Sequence, residues 1–226
     1  MKQLLAAVLV VMTLSGKLIC ASNSVHPDAA FLEQLKRNAQ AGDASAQGTL
    51  GALYQYGGQG VQKDLRKALT WNQKAANGGD FRGQRNLGLM YRNGTGVSKN
   101  DQLAAKWFEK AAAQGDAIAQ GTLGVMYQLG LGVSQNYDTA AKWLKRASDQ
   151  GSEGAQAVLG NFYVNGTGVP KDRYQGYFWL SLAVLRGYPK AESARDELAK
   201  SMSMEEITKA QLAIREWQPK LERLAD

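Results

Sequence analysis

Three arginines are the residues best placed to act on another molecule. Arg82, Arg85 and Arg92 stand at i, i+3 and i+10, with Leu89 and Asn93 at i+7 and i+11. At about 3.6 residues per helical turn these five positions form one stripe. Guanidinium forks on one face suit the carboxylates of an acidic loop or helix, because each can donate two parallel hydrogen bonds. The plainer reading is a solvated helix face. Corresponding positions elsewhere in the chain carry Gln55 and Tyr56, then Gln128 and Leu129, then Asn161 and Asn165.

Catalytic side chains are scarce. The one histidine is His26 and the one cysteine is Cys20, both near the N-terminus. A Ser-His-Asp triad would have to recruit His26, and ordinary zinc sites need more His or Cys than the chain contains. Paired carboxylates are present, but the recurring acids have another explanation as helix caps. Asn93-Gly94-Thr95-Gly96 and Asn165-Gly166-Thr167-Gly168 are glycine-rich. No Lys-Ser/Thr follows them and no strand precedes them, so they read as turns and not phosphate loops. No catalytic residue, metal or cofactor is expected.

The N-terminus reads as an export signal. Lys2 precedes an apolar run from Leu4 to Leu14, and Lys17 closes it. That run is roughly 11 residues, within the range of a signal core and short of the ~20 a spanning helix needs. Cleavage is expected after Ala21, or after Ser24, giving a periplasmic chain without a membrane span. Lipid attachment at Cys20 is the lesser alternative, because bulky Ile19 precedes it. Cleavage after Ala21 removes Lys2, Lys17 and Cys20. The net charge then falls from +7 to +5, and no disulfide is left to stabilise the mature chain. A modest positive excess is compatible with an acidic protein or an anionic lipid surface. Export disfavours nucleic acid.

The stripe depends on a repeat. Trp71, Trp107, Trp143 and Trp179 are each 36 residues apart, and Ala75, Ala111, Ala147 and Ala183 keep the same step. Leu50-Gly51, Leu87-Gly88, Leu123-Gly124 and Leu159-Gly160 step by 37, 36 and 36, with a tyrosine three residues after each glycine. The extra residue falls in the Gly57-Gly58-Gln59-Gly60 turn, where an insertion is cheap. Each copy reads as two helices. The first starts after Asp43, Asp80, Asp116 or Ser152, and the second after Asp64, Asn100, Asn136 or Asp172. All eight are capping types. A glycine precedes each first-helix cap and can end the previous helix. The tryptophans are expected in the core. A single pair cannot bury its own apolar face, whereas stacked pairs can. Phe31 to Gly42 reads as a lone helix before the first unit. Pro189 opens a helix to about Lys200, and Ser203-Met204-Glu205-Glu206 opens a last one, to about Trp217.

These columns resemble the Sel1-like repeat family, relatives of the tetratricopeptide repeat. The likeness rests on Ala-x-x-x-Leu-Gly-x-x-Tyr, Gly-x-Gly-Val and Lys-Ala-x-x-Trp, best seen in Ala119, Leu123-Gly124, Tyr127, Gly132-Val133 and Trp143. Phe81 and the Ser181-Leu182-Ala183 run depart from it. The resemblance implies an all-α fold, a right-handed α-solenoid with N- and C-terminal capping helices. Its organisation would be a signal at 1–21, a capping segment at 22–42, repeats at 43–79, 80–115, 116–151 and 152–187, and terminal helices at 188–226. It also implies a non-enzymatic protein binder whose first helices line a concave face. The expected roles are an envelope adaptor or an immunity protein that neutralises a lipase-type toxin. A cell-wall hydrolase or an anionic-lipid binder is the alternative.

Overall fold

The structure, a computed structural model, describes residues 29–58 and 60–222. The expected signal at 1–21, with Cys20 and its cleavage points, and His26 lie outside the described residues. Among those described the chain is helical: α1 (Ala29–Gln40), α2 (Ala44–Tyr56), α3 (Leu65–Asn77), α4 (Phe81–Asn93), α5 (Asp101–Ala113), α6 (Ala117–Leu129), α7 (Tyr137–Asp149), α8 (Glu153–Asn165), α9 (Arg173–Leu185), α10 (Glu192–Ala199) and α11 (Met204–Glu216). A 3-10 turn, Pro189–Ala191, leads into α10.

Capping chemistry sets the boundaries. Asp43, Asp80, Asp116 and Ser152 each accept a backbone N–H three residues on, at the starts of α2, α4, α6 and α8. Asp64, Asn100, Asn136 and Asp172 do the same work for α3, α5, α7 and α9. The second cap of each pair is tied to the first helix. The backbone N–H groups of Asp64, Asn100, Asn136 and Asp172 donate to the carbonyls of Tyr54, Tyr91, Tyr127 and Tyr163. Each tyrosine backbone therefore fixes the start of its partner helix. In the first unit the inserted residue is absorbed by a small bridge between Gly58 and Val61.

Pairs α2–α3, α4–α5, α6–α7 and α8–α9 pack internally, then each pair packs on the next. Leu50, Leu87, Leu123 and Leu159 are fully buried. The glycine that follows each leucine admits a side chain of the second helix. A Cβ on Gly124 would lie 2.7 Å from Leu144 Cγ, and one on Gly160 2.7 Å from Leu180 Cγ. Phe108 fills the same slot opposite Gly88, and Asn72 opposite Gly51. This slot holds the largest fully buried second-helix side chains: Asn72, Phe108, Leu144 and Leu180 are all 0% exposed.

The tryptophans sit one residue earlier, about 100° away round the helix. Trp179 is buried, as expected of a core residue, but Trp71, Trp107 and Trp143 are only partly so. Each of these three carries a cation from the next turn: Lys74 4.6 Å from the Trp71 ring centre, Lys110 4.3 Å from Trp107 and Arg146 4.8 Å from Trp143. In the fourth unit the corresponding residue is Leu182, and the ring is covered by the C-terminal segment.

At the C-terminal end α10 and α11 close the stack. Leu198 and Ala210 join Tyr177, Leu180 and Ala183 in one buried cluster, with Ile207 and Ile214 at its margin. The last helix starts with a full capping box, Ser203 with Glu206. At the other end Leu35 and Ala39 of α1 cover Ala46 and Leu50.

Candidate partner-binding surface

The stripe lies on α2, α4, α6 and α8, at the second, fifth, ninth, twelfth and thirteenth positions after each cap. First helices of successive units touch, α2 against α4 and α6 against α8, as an inner layer of a curved array would. The fifth position faces the cap of the next unit. A Cβ on Gly48 would fall 2.6 Å from Asp80 Oδ1. In the second unit that position is Arg85, and its Nη1 lies 2.7 Å from Asp116 Oδ2. Arg85 therefore ties the second unit to the third, and the Asp116 side chain it reaches is only 6% exposed.

Arg82 is similarly engaged. It donates to Asp80 Oδ2 through Nη2 at 3.0 Å and Nε at 3.3 Å, and also to Ser45 Oγ of the preceding unit. Two of the three stripe arginines thus spend part of their hydrogen-bonding capacity on cap carboxylates. Arg92 contacts only the neighbouring Asn93 amide, at 3.4 Å, and pairs with no carboxylate among the described residues. Arg92 is the stripe's available cation.

Other stripe positions divide in the same way. Gln55 is 7% exposed and turned inward. Its carbonyl oxygen accepts from Asn72 Nδ2 at 3.4 Å, and Asn72 accepts in turn from Asn86 Nδ2 at 3.5 Å. Asn72 stands where the other units have Phe or Leu, so its desolvated amide needs partners and Gln55 supplies one. This removes Gln55 from the surface predicted for it. Tyr56 is 66% exposed. Leu89 and Gln128 are partly exposed, and Asn93, Asn161 and Asn165 are exposed. Asn161 donates to the Ala157 carbonyl of its own helix. Two apolar side chains complete the face: Ile118 and Leu129, each 57% exposed. Ile118 occupies the column of Arg82 in the third unit. The 36-residue step from Arg82 marks it, whereas a pattern of polar side chains does not.

The face that results has an available cation at Arg92, anchored arginines beside it, and exposed apolar groups at Tyr56 on one side and Ile118 and Leu129 on the other. The Asn93–Gly96 segment is a turn closed by left-handed Gly94. Among the described residues no cluster of His, Cys, Asp or Glu has metal-holding geometry. No described helix is long and apolar enough to cross a membrane.

Stacked helix pairs with caps, glycine slots and a variable face define an α-solenoid, a class that presents side chains on regular columns along an extended surface. The chain belongs to the Sel1 repeat family, whose repeat model matches residues 44–80, 82–116, 117–152 and 154–188. Proteins of this family mediate protein–protein interaction. Over 86% of its length the chain is similar to a protective antigen present in uropathogenic Escherichia coli strains displaying an SLR fold, with 31% identity and a TM-score of 0.74. Over 76% it is similar to a Sel1 repeat protein from Oxalobacter formigenes, with 32% identity and a TM-score of 0.68. It spans 41% and 50% of the lengths of those two chains. A Pseudomonas aeruginosa protein at 20% identity shares the fold, with 89% of this chain and 80% of that one covered and a TM-score of 0.50. No curated protein matches the sequence.

Proposed function

We propose that this chain is an exported, non-enzymatic solenoid that captures a protein through the exposed groups of its first-helix stripe. The observation that carries the reading is the grouping of Tyr56, Arg92, Ile118 and Leu129 on the first-helix side of the array. Exposed aromatic, Arg and aliphatic side chains are the residues that anchor protein interfaces. The partner surface that fits is apolar with a carboxylate opposite Arg92. Arg82 and Arg85 shape the face, with their charge largely answered by Asp80 and Asp116.

An envelope adaptor and an immunity protein use such a face in the same way. They differ in the identity of what is bound: an envelope component for the first, a toxic lipase-type effector for the second. The test is a pull-down comparing the native mature chain with a Tyr56→Ala, Arg92→Glu, Leu129→Glu variant. All three side chains are partly or fully exposed, so the helical CD spectrum should be preserved while the bound protein is lost. Undiminished capture by the triple variant would overturn the proposal. N-terminal sequencing of the exported chain tests the proposed cleavage after Ala21.

A further inference from the structure

A second surface lies on the other helix layer, and the C-terminal segment shows what it binds. After α11 the chain leaves the helix at Trp217 and runs back across the fourth and third units. Trp217 packs edge-on against Trp179, ring centres 6.4 Å apart, with Arg186 4.9 Å from its own ring centre. The Lys220 N–H donates to the Asp149 carbonyl at 2.7 Å. Glu222 then ends on a composite clamp. Arg146 reaches its two carboxylate oxygens through Nε at 2.9 Å and Nη2 at 2.6 Å, and Gln120 Nε2 donates at 2.8 Å. Arg146 lies between its carboxylate and the Trp143 ring, and Gln120 is fully buried. An aromatic-backed cation and a desolvated amide together make a carboxylate site of a kind that a lone surface lysine does not.

The clamp recurs along the array. One unit upstream, Lys110 lies over Trp107 and Gln84 takes the place of Gln120. Like Gln120, Gln84 is buried and donates to a carbonyl eight residues back, that of Ala76. The carbonyl equivalent to Asp149 is that of Ala113. A groove lined by Leu103, Lys106, Trp107, Glu109, Lys110 and Ala113 lies there, and its one acid, Glu109, is engaged by the Tyr127 hydroxyl. Two units upstream, Lys74, Trp71 and Gln47 repeat the set. Among the described residues neither Lys74 nor Lys110 has a carboxylate partner. The amide position is about 120° round the first helix from the centre of the arginine stripe, so the two surfaces are separate.

We infer that the Lys110–Trp107 groove, with Gln84 at the repeat position of Gln120, and the Lys74–Trp71–Gln47 set beyond it, bind an extended carboxylate-bearing segment of a partner protein in the manner of Trp217–Glu222. One carboxylate is held by lysine and buried glutamine, and one backbone N–H by the Ala113 carbonyl. Among the described residues the intramolecular segment fills the downstream register only, and the upstream registers repeat its cation, ring and amide. This surface does not depend on the first-helix stripe.

The probe is a fluorescein-labelled hexapeptide copying Trp217–Glu222, added to the full-length chain and followed by fluorescence anisotropy. Saturable binding is expected, weakened at least tenfold by Lys110→Glu and by a glutamine in place of the peptide's glutamate. Lys110 is exposed, so its reversal leaves the fold intact, and the altered peptide needs no change in the protein. Absence of binding, or binding indifferent to both changes, overturns the inference. So does concentration-dependent dimerisation of the peptide-free chain that Glu222→Gln abolishes, because the occupant would then be the C-terminal segment of a second copy.

Discussion

The Arg85–Asp116 contact allows a sharp test of whether an arginine on the binding stripe is committed to the fold. Asp116 holds two partners at once: the Ala119 N–H through Oδ1 at 2.7 Å, and Arg85 through Oδ2 at 2.7 Å. Loss of an N-cap costs about 1 kcal/mol. A hydrogen bond to a charged group contributes about 1.5–3 kcal/mol. Arg85 keeps 21% of its side-chain surface in water, which places this contact at the lower end, about 1.5 kcal/mol. Asp116→Ala should therefore destabilise by about 2.5 kcal/mol and Arg85→Ala by about 1.5 kcal/mol. Asp43 caps Ala46 without such an arginine, and its replacement by Ala should cost only about 1 kcal/mol. Urea unfolding followed by CD, arranged as a double-mutant cycle on Arg85 and Asp116, reads the coupling directly, and about 1.5 kcal/mol is expected. A coupling within about 0.3 kcal/mol of zero would refute the structural role of the pair. Arg85→Ala should also leave partner capture intact, unlike Arg92→Glu.

Other outcomes follow from the packing. Gly124→Ala drives a methyl to 2.7 Å from Leu144 Cγ and should cost about 1–3 kcal/mol in urea unfolding; Gly154→Ala, which meets nothing within 4 Å, should stabilise by about 0.5–1 kcal/mol. Asn72→Ala strands the Gln55 and Asn86 amides in a buried site and should destabilise by about 1–3 kcal/mol, measured in the same way. The Arg146 guanidinium holds the Glu222 carboxyl below its ordinary range, against the opposing effect of burial and with further help from Gln120. A depressed folded-state pKa means the docked segment gains its full stabilisation above the unfolded value near 4.3 and loses it as pH falls through the lower folded value. Trypsin cleavage after Lys220 cannot report this at acid pH, but tryptophan fluorescence can, with Trp217→Phe identifying the Trp217 contribution among the five tryptophans. That signal should hold above the unfolded value and change as pH falls below it, and Glu222→Gln should remove the transition.

The repeat was legible because its fixed columns do local work. A capping side chain and a glycine stop each act within a few residues, so Asp80 or Gly79 announces its role by type and spacing. The core is legible in its leucine and alanine columns and at Trp179, and less so at the other three tryptophans. Tryptophan size suggested burial, whereas the glycine of the first helix faces the next residue of the second, and Phe108 and Leu144 fill that slot. The stripe was legible as a face and not as a set of available groups. Whether Arg85 is available depends on Asp116, thirty-one residues away, and whether Gln55 is available depends on Asn72 standing in a slot that elsewhere holds Phe or Leu. The clamp on Glu222 joins residues from α6, α7 and the C-terminal segment, a long-range pairing that no local pattern encodes.

The most direct test of the binding account is site-specific photo-crosslinking in the native envelope. A benzoylphenylalanine is placed at Tyr56 or Leu129 on the stripe, and at Met204 on α11, which is 77% exposed. The account predicts one discrete protein adduct from both stripe positions and none from Met204. No adduct at the stripe, or the same adduct from all three positions, would contradict it.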